Sequence, residues 1–68
     1  MNGNILRGKF REKNMTQADV AAKIGISLSR FNAKLNEAGG AEFTLGEVLA
    51  LKRLFDISAE QMDEIFFV

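Results

Sequence analysis

Residues 17–36 read Gln17-Ala-Asp-Val-Ala-Ala-Lys-Ile-Gly-Ile-Ser-Leu-Ser-Arg-Phe-Asn-Ala-Lys-Leu-Asn36, and this stretch decides the fold. Apolar residues fall at Val20, Ala21 and Ile24, and again at Ile26, Phe31 and Leu35. That is the spacing of two short amphipathic helices, not of strands. Two helices packed steeply across a tight turn need a small residue where the backbones cross, and one comfortable at positive φ in the turn. Ala21 meets the first need and Gly25, four residues on, meets the second. The spacing is that of a helix-turn-helix. An ordinary αα-hairpin would find the same Ala and Gly equally convenient.

The flanking chain uses one grammar for starting helices. Thr16 is followed at the third helical position by Asp19, Thr44 by Glu47, and Ser58 by Gln61. Such a hydroxyl accepts from a free backbone N–H, while the acidic or amide side chain can reach back to the cap. Apolar pairs that can staple each start stand at Met15 and Val20, Phe43 and Val48, and Ile57 and Met62. Ser27 has the staple, Ile26 with Phe31, but Arg30 at the third position. The pattern predicts helices near 4–13, 17–24, 28–36, 45–55 and 59–66. In the first, Leu6 and Phe10 form the apolar face, weakened by Gly8. The fourth, with Leu45, Val48, Leu49, Leu51, Leu54 and Phe55, shows an apolar arc too wide for one buried stripe. It is expected to be central and contacted from more than one side. The fifth offers Met62, Ile65 and Phe66. The fold class is all-α, five helices in one domain over 1–68, with Gly39-Gly40 in a loop too short to link two domains.

Composition narrows the function. A chain of 68 residues buries only about 60% of its unfolded surface, so its 47% hydrophobic content must be used efficiently. With no Cys and no His, disulfides and thiolate zinc sites are excluded, and so is the commonest general base. The remaining carboxylates and lysines show no converging pair, so neither an enzyme nor a cofactor is expected. No apolar run approaches the roughly 20 residues that span a bilayer, and Met1-Asn2-Gly3-Asn4 lacks the apolar core of a signal peptide. Nine cations balance nine carboxylates, but unevenly. Residues 1–36 hold seven Lys and Arg against two acids, a net of +5, and residues 37–68 hold two against seven, a net of −5. A chain polarised in this way can turn its basic part toward a polyanion.

The stretch from Gln17 to Asn36 resembles the Cro/lambda-repressor family of helix-turn-helix proteins. The likeness extends through Arg11-Glu-Lys-Asn-Met-Thr-Gln17, Phe43-Thr-Leu-Gly-Glu-Val48 and Phe55-Asp-Ile-Ser58. Length and the Ile65-Phe-Phe ending are similar to short phage or prophage regulators. The resemblance implies a lambda-repressor-like domain that regulates transcription, as a Cro- or repressor-type protein, from the cytoplasm of a bacterial host in association with its nucleoid. It implies a palindromic operator in double-stranded DNA as partner, and a homodimer to bind it.

Residue roles follow from that likeness. Gln17 matches the family glutamine that touches a phosphate and braces the recognition helix, which would start at Ser27 and lie in the major groove. At 100° per residue, Phe31 and Leu35 turn inward, leaving Ser29, Asn32, Ala33 and Asn36 opposite or to the side. Asn32 or Asn36 could pair with both edge atoms of adenine, Ser29 could serve several bases, and Ala33 could meet a thymine methyl. Leu28 is either core rim or a thymine contact. Arg30, Lys34 and Arg11 are phosphate candidates, although Lys34 occupies a position usually apolar in the family. Phe66, Phe67 and Val68 cannot all face one core, which makes them the candidate dimer surface; a frayed end is the alternative. The second functional reading is a protein-interaction module on the same fold, engaging an antirepressor, toxin or polymerase with DNA binding weak or lost.

Overall fold

Thr16 shows how the helices begin. Its hydroxyl accepts from the Asp19 N–H at 3.1 Å, and the Asp19 carboxylate accepts from the Thr16 N–H at 2.9 Å. Thr44 and Glu47 repeat this reciprocal pair at 3.2 and 2.8 Å. Ser27 and Ser58 cap with the hydroxyl alone, accepting from Arg30 and Gln61 at 3.2 Å each. Each device satisfies donors that the first helical turn leaves free.

The computed structural model describes residues 1–67. Along them run α1 (Gly3–Glu12), α2 (Gln17–Ile24), α3 (Leu28–Leu35), a short 3-10 turn (Ala38–Gly40), α4 (Leu45–Phe55) and α5 (Ala59–Phe66). The described residues form five α-helices and no strand. Three helices keep their expected bounds. The first lies one residue earlier than expected, and α3 stops at Leu35 with Asn36 as its cap.

Left-handed residues end four of the helices. Asn14, Gly25, Glu37 and Asp56 have φ of 53°, 84°, 54° and 50°. After α2, Gly25 N–H donates to Ala22 C=O at 3.3 Å and Ile26 N–H to Ala21 C=O at 3.0 Å. These two bonds satisfy carbonyls the helix end would otherwise orphan, and they turn the chain sharply toward α3.

The core gathers Leu6, Val20, Ala21, Phe31, Leu35, Leu51, Phe55, Ile57, Met62 and Ile65 around Phe10. Phe55, Phe10, Phe31 and Phe43 form a relay with centroids 5.3, 5.8 and 5.6 Å apart, joining α4, α1, α3 and the segment before α4. α2 packs on α3 and α4, and α1 on α5. The expectation that α4 is central and contacted from more than one side holds in part, since it packs on α2 and its Phe55 meets Phe10 of α1. It buries Leu51 and Phe55 on one side, while Leu45 and Leu49 face outward. Its wide apolar arc is therefore partly surface. No helix among the described residues is long and apolar enough to cross a membrane.

Candidate nucleic-acid interface

The buried residues of α3 fix what it can present. Phe31 and Leu35 anchor it to the core, so the outward arc is Ser29, Arg30 and Ala33 at helical spacing. Ser29 and Arg30 are exposed, Ala33 is half-covered, and Leu28 at the first helical position is 44% exposed. That exposure takes Leu28 out of the core and onto the rim of this arc. Gln17 is half-buried at the first position of α2, and Arg11 is exposed in the last turn of α1. Ser27 spends one lone pair capping Arg30.

Two predicted contact residues have other engagements, and a third, Asn32, is partly withdrawn from the surface. Lys34 turns away from solvent and donates to both carboxylate oxygens of Glu47, at 2.6 and 2.9 Å. Their side chains are only 18% and 13% exposed. A cation at the core edge is thus matched by a carboxylate from the start of α4, and its charge is not available to a phosphate. Asn36 accepts from the Arg7 guanidinium at 2.7 Å, which ties the end of α3 to α1. Asn32 is half-buried, with Oδ1 enclosed and without a hydrogen-bond partner among the described residues. A two-point pair with adenine needs both amide atoms at the base edge, so Asn32 in this rotamer cannot make it.

Arg7 and Glu47 are the participants that sequence reasoning missed. Glu47 was legible only as a capping residue, yet it accepts from Thr44 and Lys34 together. Burial pushes its carboxyl up, but the Lys34 ammonium and the Thr44 hydrogen bonds outweigh this and hold it below the usual glutamate range. The Thr16 N–H and hydroxyl likewise hold the exposed Asp19 carboxyl low. Among the described residues, no three potential ligands cluster to hold a metal.

Of the candidate dimer residues, Phe66 is half-buried and Phe67 is 72% exposed. Both line a groove of about 290 Å³ with Met1, Phe43, Leu45 and Val48. Val68 lies outside the described residues. Compared with protein families, curated proteins and solved structures, the chain gives no match.

Proposed function

We propose that this chain is a sequence-specific DNA-binding regulator of transcription with a lambda-repressor-like helix-turn-helix, reading a palindromic operator through α3. The observation that carries the reading is the outward arc of α3. It offers short polar and small side chains with Arg30 beside them, on a helix anchored by Phe31 and Leu35 and set by the Gly25 turn. Short side chains let a helix approach base edges closely, while a neighbouring cation engages the backbone. Ser29, Ala33 and Leu28 are the base-facing residues; Arg30, Arg11 and Gln17 face phosphates. With Lys34 neutralised by Glu47 and Asn36 held by Arg7, direct readout is narrow and leans to A·T, with DNA shape contributing.

Selection of sites from random duplex DNA, followed by titration at two salt concentrations, tests this. A regulator enriches a palindrome, and log K falls by about 0.9 with log salt for each phosphate neutralised. Absence of any enriched sequence would sink the reading. The exposed Leu28 and the internal use of Lys34 favour one alternative, a protein-binding module on the same fold. That alternative predicts binding insensitive to salt.

A further inference from the structure

We infer that Asn2-Gly3 is a site of spontaneous covalent modification, where the Asn2 side-chain amide is lost as ammonia and a carboxylate replaces it at the head of α1. This goes beyond the proposed function and does not depend on it. The reaction needs an asparagine followed by an unhindered backbone nitrogen. Of the five asparagines, at positions 2, 4, 14, 32 and 36, only Asn2 precedes a glycine. The others precede Ile5, Met15, Ala33 and Glu37, whose side chains crowd the attacking nitrogen.

The fold leaves both reacting groups open. Asn2 is exposed, it stands as the N-cap of α1, and its side chain makes no capping hydrogen bond. Gly3 opens the helix, so its N–H is among the donors that a helix start leaves free. The Arg7 guanidinium lies close over Gly3, where an added Cβ would meet Nη1 at 3.0 Å. A cation there favours the deprotonated amide nitrogen that attacks. Ring closure brings Asn2 Cβ and the Gly3 nitrogen to the same side of the Cα–C bond, so Asn2 must leave its ψ of 88°. That rotation breaks the hydrogen bond from the Asn2 N–H to the Ile65 carbonyl, 2.6 Å long. The bond lies ahead of the first helical turn, and opening there costs far less than unfolding the core.

In the chemical step the Gly3 nitrogen bonds to Asn2 Cγ, the Cγ–Nδ2 bond breaks, and the Gly3 amide proton leaves with Nδ2 as ammonia. Water then adds to either carbonyl of the cyclic imide. Opening at Cγ gives aspartate. Opening at the backbone carbonyl gives isoaspartate, whose main chain runs through Cβ and Cγ. Overall one amide and one water become a carboxylate and ammonium, and nothing is oxidised or reduced. The two products fit the fold unequally. Aspartate supplies an anion to a helix start with no acidic residue in its first turn, which the helix dipole favours. It also stands on an open pocket of about 410 Å³ that Arg7 lines. Isoaspartate inserts a backbone atom between the Asn2 N–H and α1, which pulls that N–H out of register with the Ile65 carbonyl.

Incubating the folded full chain in mildly alkaline buffer, then cutting with trypsin and weighing the fragments, tests the site. Cleavage after Arg7 leaves Asn2 and Asn4 in one fragment, so Asn4 is an internal control. The expected result is the mass of a single deamidation, located at Asn2, with aspartate and isoaspartate both present. It should accumulate several times faster than at any other asparagine. Asn2→Gln should abolish it, because a longer side chain closes the ring poorly. Gly3→Ala should slow it severalfold, the flexible end of Arg7 moving aside for the methyl, with melting curves confirming that each variant folds. Separated by chromatography, the aspartate form should melt at or above the unmodified chain and the isoaspartate form below it. Modification no faster at Asn2 than at Asn4 overturns the inference. So does modification that appears only when the chain is unfolded in urea, since the fold would then protect the site.

Discussion

Lys34 and Glu47 are the residues whose pairing most constrains the fold and the interface together. Two largely covered charges 2.6 Å apart give little net stability as a pair, because desolvation offsets much of their attraction. Removing one partner is different, since the other stays covered without compensation. Lys34→Met should therefore destabilise the chain by about 1–3 kcal/mol, read as a lower urea midpoint at pH 7. The pH dependence has a definite sign. Glu47 is depressed in the folded state, so its contribution is complete above the ordinary glutamate range and is lost as pH falls through the folded value. Wild type and Lys34→Met should thus differ most near neutrality and converge toward pH 3. A gap that widened in acid would mean that the carboxylate is not what Lys34 stabilises.

Among the elements, four helix starts and three helix ends stand where the sequence places them, but the starts carry the clearer side-chain signature. A cap is written in side-chain oxygens, and Thr16, Ser27, Thr44 and Ser58 each accept the expected N–H. An end is written in backbone conformation. Gly25 announces left-handed φ because it lacks a Cβ, whereas Glu37 and Asp56 adopt the same conformation without any such mark. This leads to opposite predictions at two equivalent positions. Gly25→Ala has room, since nothing lies within 4 Å of the added Cβ, but φ of 84° makes it strained by about 1–2 kcal/mol. Asp56→Gly, at an exposed side chain in no ion pair among the described residues, relieves strain of that order and loses about 0.4–1 kcal/mol to unfolded-chain entropy, for a small net gain. Thermal melts should move down for the first and up by a few degrees for the second. The α4 arc is only partly buried for a related reason: periodicity counts apolar positions but does not say which of them meet the core. At the interface, the anchors Phe31 and Leu35 were readable from spacing. The engagements of Lys34 with α4 and Asn36 with α1 were not, because both partners are distant in sequence.

At the scale of the whole molecule, zero net charge is a balance between segments and not a property of any surface. Glu60, Asp63 and Glu64 are exposed on α5 and take part in no ion pair among the described residues. If a duplex docks on α3 as proposed, whether they repel it depends on distance against screening. The molecule measures 28 × 26 × 20 Å. The Debye length is about 8 Å at 0.15 M salt, well inside the shortest dimension, and about 30 Å at 0.01 M, beyond the longest. Replacing the three acids by Gln, Asn and Gln should therefore tighten binding to arbitrary duplex in dilute salt and leave it unchanged at 0.15 M. Arg30→Ala should weaken binding at both and reduce the salt slope by about 0.9 if it neutralises one phosphate. Titrating the two variants side by side separates contact from field. If the triple variant tightened binding equally at 0.15 M, the α5 acids would have to lie within about 8 Å of the duplex.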